Sequence, residues 1–380
     1  MQARTHSERS GGSRLKQWWV IAMVLLALAG AIGSLIAVSG VVPVTASSGH
    51  FAVTEWLLQF AKQRSVATHT AGAAPPASDA PWLVEKGAGH FETGCRPCHG
   101  APDLPHQPRI ARSMLPPPPS LAARAPEWQP EELFYIIKHG IKFTGMPAWP
   151  SLVRDDEVAA MVAFVRELPR LDAAAYRSLA HGTGASNPEP DPLDDLVGTE
   201  TPPRAVASCA RCHGQRGTGR LSAAFPKLAG QPQEYLAATL DAYARDARAS
   251  GMMQPIAAGL APEEIRELAA FYSRLPARRR GAKQPLAARA AIERGRVIAE
   301  RGVPERDVPS CSDCHGPAGE PSESYPALSG QFADYMVLQL RLFASGVRGG
   351  TEHAHLMAEV APHMNEAEMR DVSAYYASLE

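Results

Sequence analysis

The chain has no cysteine to spare. Its 380 residues contain six, and all six fall in three short segments: Cys95-Arg96-Pro97-Cys98-His99, Cys209-Ala210-Arg211-Cys212-His213 and Cys311-Ser312-Asp313-Cys314-His315. None is left for a disulfide, a zinc knuckle or a free catalytic thiol. An excess of charge of either sign is also missing: the formal net charge is -1. That excludes a general pull toward nucleic acid, so docking has to rely on local patches. The sequence shows no glycine-rich nucleotide loop, no copper-type cluster of His and Cys, and no hydrolytic triad. Charge disappears altogether between Trp18 and Val44. With 34 prolines and 31 glycines, the chain reads as rich in loops and poor in strands.

What is present is the same five-residue unit three times. Two cysteines separated by two residues and followed at once by histidine form the attachment signature of a c-type haem. Each thiol makes a thioether to a haem vinyl group, and the imidazole ligates the iron. One helical turn can present both sulfurs along the porphyrin edge while the histidine points at the metal. A single copy could equally be a zinc half-site or a redox dithiol. Three copies that use every cysteine point to three covalent haems, attached at Cys95 and Cys98, Cys209 and Cys212, and Cys311 and Cys314. His99, His213 and His315 are then the proximal ligands. One motif per roughly hundred residues predicts three small domains.

The N-terminal residues 1–17 carry Arg4, Arg9, Arg14 and Lys16. The uncharged run at 18–44 would reach about 40 Å as a helix, enough to cross a bilayer. Its positive flank places residues 1–17 in the cytoplasm and the rest in the periplasm of a bacterial inner membrane, in a single pass. A cleaved signal peptide ending near Val44-Thr45-Ala46 is the competing reading, disfavoured by the length of the apolar core. Within 45–80, Phe51 to Arg64 reads as an amphipathic helix, lying in the membrane interface or packed on protein, and 65–80 as a tether.

Domain 1 spans about 81–170. Helices are expected at Trp82–Thr93, Glu131–His139 and Asp155–Leu168, between loops set by the tract Pro116-Pro117-Pro118-Pro119 and by Thr144-Gly145-Met146-Pro147. A methionine between glycine and proline sits on a non-helical loop, so Met146 is the candidate sixth ligand, with Met114, Met161 and His139 as rivals. Pro119 is the candidate carbonyl for the Nδ1 hydrogen of His99. Residues 171–203, rich in proline and acidic side chains, read as a linker. Met253 follows the second motif at a distance that one small domain can close.

Beyond the linker the chain repeats itself, as domain 2 (204–283) and domain 3 (284–380). Phe225-Pro226-Lys227-Leu228-Ala229-Gly230-Gln231 is answered by Tyr325-Pro326-Ala327-Leu328-Ser329-Gly330-Gln331, Tyr235 by Tyr335, and Leu268-Ala269-Ala270-Phe271-Tyr272 by Val372-Ser373-Ala374-Tyr375-Tyr376. With its haem motifs, aromatic-Pro loops and closing helices, residues 204–380 resemble the di-haem class I cytochromes c. Domain 1 resembles class I cytochromes at its haem motif, Met146 loop and closing helix. The resemblance implies an all-α fold and makes Met253 and Met357 the distal ligands, each seven residues before the apolar residue, Leu260 or Met364, that precedes the closing helix. Met252 rivals Met253, while His353, His355 and His363 open a bis-histidine alternative in domain 3. By the same resemblance, Pro226 and Pro326 present carbonyls to His213 and His315. Arg278, Arg279 and Arg280 form a basic run between the repeats that could meet an acidic partner.

Three irons, each with a candidate sixth ligand, favour electron transfer over catalysis. The expectation is therefore an all-α, membrane-anchored, periplasm-facing tri-haem cytochrome c, not an enzyme, that relays electrons in a respiratory chain toward a terminal oxidase. The alternatives are the cytochrome subunit of a membrane-bound dehydrogenase passing electrons to quinone, or a haem enzyme such as a peroxidase.

Overall fold

The computed structural model describes residues 9–76, 80–182, 205–276, 286–316 and 322–379, and these are helices joined by loops. Among the described residues there is no strand, only an isolated bridge between Val303 and Val308. The chain divides into two units, 1–58 and 59–380.

The first unit is built on α1 (Arg9–Ser39). Its stretch Lys16–Ser39 is long and apolar enough to cross a membrane by length and composition, a test that a signal sequence also passes. Helix α2 (Ala52–Thr70) begins in this unit and ends in the second.

The expected tether at 65–80 starts later than its composition suggests. Helix α2 continues to Thr70 because its last turns have partners: Val66 and Thr70 are buried, and the His69 ring stacks on Tyr135 at 5.4 Å. Lys62 stands over the Trp128 ring at 5.9 Å. Of the two readings for this helix, its C-terminal part follows the second, packing on protein.

Three helices of domain 1 agree with the periodicity: α3 (Pro81–Gly94), α4 (Pro130–His139) and α5 (Asp155–Glu167). α3 crosses α5 at Gly87, where a Cβ would stand 2.3 Å from the Ala160 carbonyl oxygen, so only glycine admits so close a crossing. The linker expected from residue 171 is corrected. α6 (Ala173–His181), capped by Asp172 accepting from the Ala175 N–H at 2.7 Å, packs on α3. Its Tyr176 is 0% exposed, lies against Phe91 and Phe164, and donates its hydroxyl to Glu92. A single buried tyrosine outweighed the loop-like composition that follows it. Residues 183–203 of the expected linker, and Arg278, Arg279 and Arg280, lie outside the described residues.

The repeat is visible in the helices. α8 (Gln233–Ala244) and α9 (Pro262–Arg274) are answered by α11 (Ala333–Ala344) and α12 (Glu366–Ser378), while α7 (Val206–His213) carries the second haem motif and α10 (Leu286–Arg301) ends before the third. α8 packs on α9, and α10 and α11 pack on α12. Each closing helix carries its apolar stripe inward, with Leu268, Ala269 and Tyr272 buried in α9 and Met369, Val372 and Tyr376 in α12.

Candidate haem sites

Each Cys-x-x-Cys-His unit is one helical turn: Arg96–His99, the end of α7, and Ser312–His315. The glycine after each histidine, Gly100, Gly214 or Gly316, takes φ of 71°, 79° or 73°, which ends the turn and sends the chain toward the proline loop. The Nδ1 atoms of His99, His213 and His315 lie 2.8, 3.0 and 3.2 Å from the carbonyl oxygens of Pro119, Pro226 and Pro326. Burial pushes all three imidazoles below their ordinary range, and the hydrogen bond to the carbonyl opposes it. Such a ring, neutral and donating from Nδ1, keeps the Nε2 lone pair for a metal.

Among the candidate sixth ligands, Met146 is half-buried in a loop tied by its own backbone. Its N–H donates to Thr144 Oγ1 at 3.1 Å, and its carbonyl accepts from the Ile141 N–H at 3.2 Å. Of its rivals, Met161 is sealed in the helix core and His139 lies against Tyr135. Met114 lies beside the loop, with its methyl carbon 2.0 Å from where a Cβ on Gly145 would stand. The other two methionine segments are short helices rather than loops, Met253–Ala257 and Ala354–Val360. Met252 and Met253 share a cavity lining, but Met252 also packs against the core of domain 1. In domain 3, Met357 and His353 both line that cavity, with the His353 ring 5.3 Å from Tyr325. His355 and His363 are exposed, and His355 Nδ1 faces the Glu352 carbonyl at 2.9 Å.

The cavity is continuous. It is lined by the cysteines and histidines of the second and third motifs together with Met253 and Met357. Its walls are mostly apolar, which suits a porphyrin, and its polar groups suit a porphyrin's charged edge. Arg248 and Arg348 face it from equivalent positions, stacked over Tyr243 at 4.8 Å and Phe343 at 4.4 Å. Arg348 donates to the Tyr235 hydroxyl at 3.1 Å, and neither guanidinium has a carboxylate partner among the described residues. Although burial opposes it, the two positive charges pull the Tyr235 hydroxyl below the usual phenol range. The buried Tyr376 hydroxyl and Ser373 Oγ also line the cavity without a protein partner. Guanidiniums without a carboxylate partner and orphaned hydroxyls around an apolar space fit the carboxylates of a haem.

Two glutamines join the domains. Gln231 donates to the Ala327 carbonyl at 2.9 Å and accepts from the Ala327 N–H at 3.0 Å. Gln331 returns the same pair to Lys227, both bonds at 3.1 Å. The proline loops that hold His213 and His315 are thus stitched to each other. Domain 1 reaches the same cavity through α3, where a Cβ on Gly89 would lie 2.6 Å from the Phe225 ring and 3.4 Å from Cys212 Sγ. In the sequence Gln231 and Gln331 stand out only as repeat markers, and Arg248 and Arg348 do not stand out at all. The hundred-residue offset that pairs Tyr235 with Tyr335 also pairs these arginines and was the available signal.

Comparison with known proteins agrees with this geometry. The family model for cytochrome c matches residues 204–275 and 292–380, and that for cytochrome C oxidase, cbb3-type, subunit III matches 83–165. The thiosulfate dehydrogenase electron acceptor of Thiomonas intermedia (strain K12) is 39% identical over 178 residues, 47% of this chain and 80% of that protein. The chain belongs to the class I c-type cytochromes. Cytochrome c4 of Thiocapsa roseopersicina is 36% identical over 179 residues, 46% of this chain and 89% of that protein. The thiosulfate dehydrogenase electron acceptor of Stutzerimonas stutzeri (strain A1501) is 38% identical over 176 residues, 46% of this chain and 80% of its own length. Cytochrome c domains carry covalently attached haem c, and this cytochrome is an electron carrier rather than an enzyme. The haem supplies one-electron chemistry, and the chain's part is to hold it, orient its ligands and exclude water.

Proposed function

We propose that this cytochrome carries three covalent haems and, anchored by α1 with its haem domains in the periplasm of a bacterial inner membrane, relays electrons from a dehydrogenase of a reduced sulfur compound to a terminal oxidase. His99 and Met146, His213 and Met253, and His315 and Met357 are the axial pairs, with Pro119, Pro226 and Pro326 orienting the histidines. The observation that carries the reading is the continuous cavity lined by two attachment motifs and reached by α3 of domain 1, which supports a short path between haems. On the donor side, two relatives are named as thiosulfate dehydrogenase electron acceptors. On the acceptor side, the match of residues 83–165 to an oxidase subunit supports an oxidase.

The test is a pyridine haemochrome count with a redox titration, followed by reduction of the purified protein by thiosulfate and a thiosulfate dehydrogenase, and reoxidation by oxidase-containing membranes. Three low-spin haems that cycle under both conditions support the reading. Fewer haems, or no reoxidation, overturn it. Stable co-purification with a flavin- or quinone-containing subunit would favour the alternative, a dehydrogenase subunit that passes electrons to quinone.

A further inference from the structure

Glu157 lies on α5 of domain 1 and is 2% exposed, yet most of its partners lie outside that helix. Its Oε1 accepts from the Ser250 hydroxyl at 2.6 Å and stands 3.1 Å from Arg154 Nη2. Its Oε2 accepts from the Gly251 N–H at 2.6 Å and from Trp149 Nε1 at 3.2 Å. Burying a carboxylate costs several kcal/mol unless its oxygens are satisfied, and here each oxygen has two partners. Arg154 adds a bond to the Ala249 carbonyl at 2.7 Å and is itself held by Asp156 at 2.8 Å. Burial works against the Asp156 charge, but Arg154 and Lys86 hold its carboxyl far below the usual range.

The two ends of this cluster are the two distal loops. Trp149 stands three residues after Met146, and Ser250 stands three before Met253. Ser250 Oγ, while donating to Glu157, accepts from the backbone N–H groups of Met252 at 3.3 Å and Met253 at 3.0 Å. Gly251 packs so tightly that an added Cβ would fall 2.1 Å from Trp149 Nε1.

We propose that Glu157 is a positioning residue: from domain 1, it holds the Ser250-Gly251 segment and through it sets how firmly Met253 engages its iron, coupling the distal loops of sites 1 and 2. This rests on Met253 as the ligand of site 2. None of the clamp's hydrogen bonds given above reaches domain 3, so site 3 serves as an internal reference when the clamp is loosened.

The experiment measures displacement of methionine by added imidazole in the oxidised full-length holoprotein, followed in the sulfur-to-iron absorption band, for Glu157→Gln, Gly251→Ala and Met253→Ala. Loss of one buried charge-assisted hydrogen bond corresponds to about 10- to 100-fold, so Glu157→Gln should accelerate displacement at site 2 by that factor while site 3 keeps its rate. Gly251→Ala strikes the clamp from the other side and should do the same. Met253→Ala should remove one haem's share of the band before imidazole is added. If it does, and both clamp variants displace at the wild-type rate, the coupling is refuted while the ligand assignment stands. If Met253→Ala leaves the band intact, the ligand assignment fails and the proposal fails with it.

Discussion

Replacing Gln231 or Gln331 by leucine tests the joint between domains 2 and 3. Each glutamine is nearly sealed, at 7% and 5% exposure, and each forms two hydrogen bonds to one backbone residue of the opposite loop. Leucine fills similar space but leaves the part-buried N–H and C=O of the opposite residue unpaired, at up to about 1–3 kcal/mol per orphaned group before water relieves part of it. A net loss of about 2–4 kcal/mol in the local opening free energy follows, or about 30- to 1000-fold faster exchange of the affected amide. The assay is native-state amide hydrogen exchange on the full holoprotein. Gln231→Leu should expose the Ala327 amide, and Gln331→Leu the Lys227 amide. The two glutamines share no atoms, but either change frees the loops to part, so the double variant should cost less than the sum. Exchange at Ala327 and Lys227 within about threefold of wild type would refute the reasoning, because it would mean the paired amides are protected by something other than the glutamines.

Met146→Ala should abolish the sulfur-to-iron band of haem 1 and leave three covalent haems, and an unchanged spectrum would remove Met146 from the site. Replacing Cys209 and Cys212 together should yield a protein with two haems by pyridine haemochrome, and a count of three would refute the attachment assignment. His90 is held down to about 4 by burial, with Arg211 and Lys86 adding to the effect. Because the unfolded chain binds this proton and the folded chain resists it, stability is complete above about pH 6.5 and falls as the pH drops toward 4, by about 3 kcal/mol. Denaturant unfolding of wild type and His90→Gln across that window should show the wild type losing more, and parallel curves would rule out His90 as the source.

The parts of this molecule that follow a local rule could be read from its sequence. The three Cys-x-x-Cys-His turns, the closing helices and the hundred-residue repeat all write themselves in spacing. What escaped depended on contacts between segments far apart in the chain. The expected linker concealed α6 because nothing near Tyr176 announces that its ring fills a space beside Phe91 and Phe164. Glu157 reads as an ordinary acidic residue in the first turn of a helix, favourable against the dipole. Only the fold places Ser250 and Gly251 against it. Arg248 and Arg348 look like surface charges until the two repeats face each other across one cavity.

The glutamine joint reads backbone, not side chain. Gln231 grips the peptide groups of Ala327, and Gln331 those of Lys227, whose side chain also crosses the joint to the Gly330 carbonyl and stands over Phe332. A self-complementary patch of this kind would, on separate molecules, assemble at a rate set by dilution; fused in one chain, the halves meet at an effective concentration of about millimolar. The duplicated halves are in this sense a dimer that cannot dissociate. Each half can carry its own charges and its own surroundings for a haem without losing its partner.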